Sequence, residues 1–151
     1  MAVRTKVLLD GIDVALTDVD ALEHRAGDLS PVWPLLGRLW ARRQETVFAT
    51  GGLGAWPPIG AKALLGGSRS PLVRTGALRR AVSDPTPVES GPLHVMFGVD
   101  PGDAHAMKVG NIHRHGSGRV PVRDPMPRLR PTERDSWMGV VRRYLTNGAT
   151  H

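Results

Sequence analysis

The sequence predicts an α+β fold in which a small antiparallel sheet is flanked by three to four helices. In several segments apolar residues recur at three- and four-residue intervals, as on the buried face of a helix; in two others they alternate with polar residues, as in a half-buried strand. The chain has 18 Gly and 13 Pro among 151 residues but only 5% aromatic residues, which indicates many turns and long connections. A chain of this length is expected to form a single domain over residues 1–151.

The first part of the chain is predicted to form a strand and then a helix. Apolar and polar residues alternate over 3–9, and the turn residues Asp10 and Gly11 follow them. Over 13–29 the apolar residues recur with helical spacing between acidic and basic ones, which predicts an amphipathic helix that weakens at Gly27.

A second helix is predicted to begin at Ser30 and to end near Phe48 or Ala49. Ser30 and Pro31 are typical of an N-cap and the first helical residue. Trp33 and Trp40 lie at helical spacing, which favours core packing over ligand stacking. The polar residues of this helix are expected in solvent, namely Arg38, Arg42, Arg43 and Glu45.

The middle of the chain is predicted to alternate between long loops and short elements. Residues 50–71 contain six Gly and three Pro, which favours a loop. Thr75 is expected to cap a helix within 72–82 that has Leu78, Ala81 and Val82 on one face. A second loop is predicted over 83–92.

The next segment is predicted to form a strand over 93–97 that leads to a turn at 100–103, interpreted as the tip of a hairpin. Residues 104–115 are consistent with either a returning strand or a short helix. Four prolines predict a loop over 116–131. The clear helical pattern that follows predicts a last helix, with Thr132 as its cap and Asp135 in an approximate capping box.

Several short motifs follow one another in a fixed order along the chain. They are Trp56-Pro57-Pro58, the segment LVRTGALR over 72–79, Phe97-Gly98, Ile112-His113 followed by Gly116, and Val120-Pro121-Val122-Arg123. In number, order and spacing they resemble the virion-morphogenesis, or tail-completion, family of long-tailed bacteriophages. The resemblance extends from about Val7 to Leu145. The chain departs from it at Arg123-Asp124-Pro125, where Arg-Pro-Phe would be usual.

The resemblance implies a structural virion protein, not an enzyme, that forms a ring at the junction of head and tail. Such a ring, expected to be six-fold, would complete or terminate the tail and join the tail tube to the head connector or stopper, with genome DNA passing through its lumen. The protein would be made in the host cytoplasm and end in the neck or tail of the virion. The candidate interface residues are Trp56, Pro57, Arg74, Arg79, Arg80, Arg114 and Arg123.

Composition leaves one alternative from another class. A net charge of +6 and an isoelectric point near 11.0 indicate an anionic neighbour, so the chain could be a basic nucleic-acid-binding protein. An HNH-like or metal-dependent nuclease ranks below this alternative. It could use His113 or His115, which are weak metal candidates, but the usual downstream Asn and His are missing.

No other pattern in the sequence favours catalysis, a cofactor or a membrane. The chain has no cysteine, which excludes disulfides, thiolate ligands and a cysteine nucleophile. Its serines lie outside any G-x-S-x-G elbow, and its Gly-rich loop lacks the Walker spacing. No apolar run approaches the length of a membrane span.

Overall fold

Helices dominate the part of the chain that this computed structural model describes, residues 16–58, 76–118 and 120–148. Helix α1 covers 16–27, a 3₁₀ turn spans Ser30–Val32, and the later elements are α2 (Trp33–Ala49), α3 (Ala77–Val82), β1 (Glu89–Ser90), β2 (Val95–Met96), α4 (Ala104–His115) and α5 (Pro131–Asn147). The predicted mixture of helices and an antiparallel sheet is therefore confirmed. Five α-helices are described instead of three to four, because 104–115 is also helical. The predicted strand over 3–9 lies outside the described residues.

The connection between α1 and α2 is a tight turn built on Asp28. Its Oδ1 atom accepts hydrogen bonds from the Ser30 backbone N–H at 2.9 Å and from the Ser30 hydroxyl at 2.5 Å. These bonds lower the pKa of Asp28 because they stabilise its charged form. The prediction that Ser30 is the N-cap is wrong, since its side chain bonds back to Asp28 and Leu29 precedes the 3₁₀ turn.

Helix α2 contributes to two hydrophobic clusters. The first cluster joins Val32, Trp33 and Leu36 to Val140 and Tyr144 of α5. The second cluster lies at the other end of α2 and consists of Phe48, Leu78, Val82, Val99 and Ala106. Because α2 reaches both clusters, it connects α5 on one side to α3 and α4 on the other.

Both tryptophans of α2 serve packing, as predicted. Trp33 is buried in the first cluster, and its Nε1–H donates to the carbonyl of Gly91 at 2.9 Å. Trp40 stacks on Phe97 with ring centroids 6.1 Å apart and donates to the carbonyl of Val82 at 2.7 Å. Each indole thus buries its ring and satisfies its N–H within the chain.

Arg43 was expected in solvent, but only 7% of it is exposed. Its guanidinium lies 3.3 Å from the Glu133 carboxylate and donates to the carbonyls of Pro127 and Arg128 at 2.8 and 3.0 Å. A buried charge is tolerated when it is paired and hydrogen-bonded. These partners lie more than eighty residues away in the sequence, so helical periodicity gave no sign of them.

The antiparallel sheet is a hairpin of two short strands, in which Glu89 pairs with Met96 and Ser90 with Val95. It corrects two predictions, because β1 lies inside the expected loop 83–92 and the hairpin does not have its tip at 100–103. Residues 100–103 instead form a turn that leads into α4. The carboxylate of Asp103 accepts a hydrogen bond from the Ala106 N–H at 2.8 Å and so caps that helix.

The ends of α3 and α5 differ from the predicted caps. Helix α3 is preceded by Gly76 in a left-handed conformation (φ 69°), whereas Thr75 lies outside the described residues. At α5 the Arg130 N–H donates to the Glu133 carboxylate at 2.7 Å, and Pro131 is the first helical residue. The predicted pair of Thr132 and Asp135 is therefore wrong, because the helix begins two residues earlier than a cap at Thr132 requires.

No helix of the described ranges 16–58, 76–118 and 120–148 is both long enough and apolar enough to cross a membrane.

Candidate functional site

The loop after α2 turns sharply because four consecutive residues have left-handed backbone. The φ angles of Gly51, Gly52, Leu53 and Gly54 are 63°, 71°, 60° and 84°. Glycine adopts this conformation without steric cost, whereas a leucine pays about 1–2 kcal/mol. The Gly52 N–H donates to the carbonyl of Val47 in α2 at 2.7 Å, which closes the loop onto the end of that helix. Within the loop, the Trp56 backbone N–H donates to the carbonyl of Gly51 at 2.9 Å.

This turn brings Trp56 back against the protein. Its ring meets Phe48 edge to face, with centroids 5.4 Å apart and an interplanar angle of 82°. The ring also lies where a Cβ atom of residue 52 would be, so Gly52 is required by close packing as well as by backbone conformation. The Trp56 Nε1–H donates to the carbonyl of Asp124 at 3.0 Å, which ties this loop to the loop that follows α4.

Arg123 completes the same arrangement from the other side. Its guanidinium donates to the carbonyls of Pro57 at 3.2 Å and Pro58 at 2.9 Å, and its backbone N–H donates to the His113 carbonyl at 2.7 Å. We call the set Trp56, His113, Arg123 and Asp124 the loop junction. It brings together the Trp-Pro, Ile-His and Pro-x-Arg motifs, which are separated by up to 67 residues in the sequence.

The electrostatics of the loop junction favour a neutral His113. Burial lowers the pKa of this imidazole, and the nearby positive charge of Arg123 lowers it further. Its Nδ1 atom is buried without a hydrogen-bond partner. Arg114 lies beside it with its side chain about half exposed, and among the described residues its one ion pair is a 3.9 Å approach to Asp124.

The predicted interface residues fall into two groups. Trp56, Pro57 and Arg123 are partly buried and are used in contacts within the chain. Arg79, Arg80 and Arg114 are exposed, the first two on α3 and the third near the end of α4. Arg74 lies outside the described residues. The structure thus brings the first group together with Arg114 but leaves Arg79 and Arg80 on a separate helix.

His113 and His115 do not form a metal site with each other. Both lie in the last turn of α4, where residues two apart point to different sides of the helix. Within the described ranges no three His, Cys, Asp or Glu side chains are grouped so that they could hold a metal ion. The loop junction itself consists of hydrogen bonds to backbone carbonyls, an arrangement that fixes loops in place.

Sequence reasoning missed two exposed apolar surfaces. The first, on α1, comprises Leu16, Val19 and Leu22, which are 56%, 58% and 46% exposed. The second is a groove between β2 and α4 that includes Met96 and Met107. The helical spacing of the α1 residues was visible in the sequence, but spacing alone does not show whether an apolar face is covered.

Comparison with protein-family models, curated proteins and solved structures finds no match to the chain. The likeness to the tail-completion family therefore stays a prediction drawn from the motifs.

Proposed function

We propose that the chain is a structural virion protein of a long-tailed bacteriophage that forms a ring at the junction of head and tail. The observation that carries the proposal is the loop junction, at which three motifs of the resemblance meet through direct hydrogen bonds. Motifs that occurred by chance would have no reason to converge on one place in the fold. Their convergence supports a shared architecture with the tail-completion family.

The chemistry of the described surface also supports an assembly role. The polar groups of the loop junction donate to backbone carbonyls, which holds residues 56–58 of the loop after α2 against residues 123–124. Large apolar side chains such as Met96, Met107 and Val122 are meanwhile 55%, 37% and 54% exposed. Exposed apolar groups that lie beside arginines are typical of surfaces that become buried against a protein partner.

The proposal is tested by the mass of the purified protein in solution, alone and after mixing with tail-tube protein or assembled tails. A ring, or a shift of the protein onto tails, is the expected result. A mixture in which the chain stays monomeric and ignores tails would refute the proposal. The double variant Arg79→Ser, Arg80→Ser is a useful comparison, because it removes exposed charge from α3 without touching the loop junction.

The salt dependence of DNA binding distinguishes the nucleic-acid alternative from the proposed function. Binding through six or more phosphates would weaken by about three powers of ten or more between 50 and 200 mM salt. A monomer that ignores tails but shifts DNA in this way would favour that alternative. Weak affinity that does not depend on DNA sequence would still agree with a ring that surrounds the genome.

A further inference from the structure

Helix α1 exposes an apolar ridge that nothing in the described chain covers. The ridge consists of Leu16, Val19 and Leu22, and each of these side chains is about half exposed. Their three-residue spacing places them in one row along the helix, which extends for about 9 Å at a rise of 1.5 Å per residue. The other end of α1 is fixed, because Arg25 Nε donates to the carbonyl of Leu145 at 2.7 Å.

The groove between β2 and α4 has a size and chemistry that match this ridge. Its volume is about 410 Å³, and its walls include Met96 and Phe97 on one side and Met107 on the other. Along α4 it extends from Ala106 to Arg114, or about 12 Å at the helical rise. No residue of α1 lines it, so ridge and groove are separate surfaces of one molecule.

The charges near the α1 ridge and near the groove are opposite in sign. The described part of α1, 16–27, carries three carboxylates against one arginine, although the whole chain has a net charge of +6. The three are Asp18, Asp20 and Glu23, and all are exposed. The groove ends at Arg114, whose guanidinium is about half exposed and, within the described residues, approaches only the Asp124 carboxylate, at 3.9 Å. Helix α1 therefore complements the groove both in its apolar surface and in its charge, since its carboxylates are opposite in sign to Arg114.

We propose that α1 of one copy docks into the β2–α4 groove of the next copy. This inference rests on the proposed function, since it assigns the contact by which a ring would form. Two different surfaces of the same chain make a head-to-tail contact, and identical head-to-tail contacts generate a closed ring when the rotation between copies closes. Leu16, Val19 and Leu22 enter the groove, and the carboxylates of α1 lie toward Arg114.

Because the chain has no cysteine, single introduced cysteines can report the contact directly. Val19→Cys protein is mixed with Met107→Cys protein under oxidising conditions, and the mixed disulfide is quantified. Met138→Cys is the matched control, because Met138 is 44% exposed, close to the 37% of Met107, but lies on α5 outside the groove. We expect the mixed disulfide with Met107→Cys to exceed that with Met138→Cys by about tenfold, since a disulfide needs Cα atoms within about 7 Å.

Charge reversal provides a second measurement. Arg114→Glu alone, or Glu23→Arg alone, is expected to weaken self-association by about tenfold or more, and the double variant should regain part of it. Rings that persist while Val19→Cys links equally to both cysteine partners would overturn the α1 contact and leave the proposed function standing. A chain that stays monomeric, alone and with tail-tube protein, would overturn both.

Discussion

Trp56 holds two loops together through one ring and one N–H group. Trp56→Phe keeps an aromatic ring against Phe48 but removes the hydrogen bond to Asp124, so we expect a loss of about 1 kcal/mol in the free energy of unfolding. Trp56→Ala also removes the packing and should cost about 3 kcal/mol or more. Urea denaturation of the two variants measures both values. Equal losses would show that the ring contributes little beyond its N–H group.

His113 is expected to make the stability of the fold depend on pH below about 6.5. Burial and Arg123 lower its pKa in the folded state, so the unfolded chain binds a proton more readily. The free energy of unfolding should therefore be highest above pH 6.5 and fall as the pH is lowered toward the folded-state pKa, below which this contribution becomes constant. One proton limits the slope to about 1.4 kcal/mol per pH unit, and solvent screening keeps it smaller.

The variant His113→Gln isolates this effect, because glutamine does not titrate. The free energy of unfolding of the unmodified protein and of the variant is measured by denaturation from pH 5 to 8. The pH-dependent part of the difference between them is the contribution of His113. A difference that does not change with pH would contradict the lowered pKa. Asp28 does not interfere with this measurement. Its pKa is lowered in the folded state, so its contribution to stability is lost only as the pH falls below about 3.8.

The start of α5 depends on Glu133, which accepts from the Arg130 N–H and pairs with the buried Arg43. Glu133→Ala should lower the free energy of unfolding by about 2–4 kcal/mol, because it removes a helix cap and leaves a buried guanidinium without its carboxylate. Asp135→Ala is the matched control. Asp135 is exposed and makes no capping bond, so it should change stability by less than about 0.5 kcal/mol. Thermal or urea melts measure both losses. A larger loss for Asp135→Ala than for Glu133→Ala would favour the cap predicted from the sequence, Thr132 with Asp135.

Two helical glycines should respond in opposite ways to the same substitution. A Cβ atom on Gly37 of α2 would collide with the carbonyl oxygen of Pro85 and lie 3.2 Å from the Phe97 ring. Gly37→Ala should therefore destabilise the protein by about 1–3 kcal/mol despite the better helix propensity of alanine. Gly139→Ala in α5 meets nothing within 4 Å and should stabilise it by up to about 1 kcal/mol. Similar melting shifts for both variants would contradict the close approach at Gly37.

At the scale of the whole molecule, the sequence predicted what depends on local pattern. The end of α2 at Ala49 and the buried Val140 and Tyr144 of α5 follow from helical periodicity. The cap of α5 was harder to predict, since Thr132 is a common N-cap residue type whereas Arg130, the residue that precedes the helix, is not. Arg43 could not be placed, because its partners come from distant segments.

The loop junction was predictable only in part. Its motifs are visible in the sequence, yet spacing does not show that Trp56 and Arg123 reach across to each other's loops. The hairpin was misplaced for another reason. Its strands are two residues each, too short to show an alternating pattern, whereas the turn at 100–103 carries stronger signals although it leads into a helix.

The position of α2 between two hydrophobic clusters has a consequence for local opening. If either cluster opens, the other still holds α2, so its amide hydrogens should exchange with solvent only when the whole fold opens. Helix α3 belongs to the second cluster alone, and α1 presents its apolar ridge to solvent, so both should exchange sooner. Hydrogen–deuterium exchange measures this order, and α2 exchanging as fast as α3 would contradict it. In an assembled ring the proposed contact would slow exchange in α1 and leave the rate of α2 unchanged, so the exchange of α1 would report assembly.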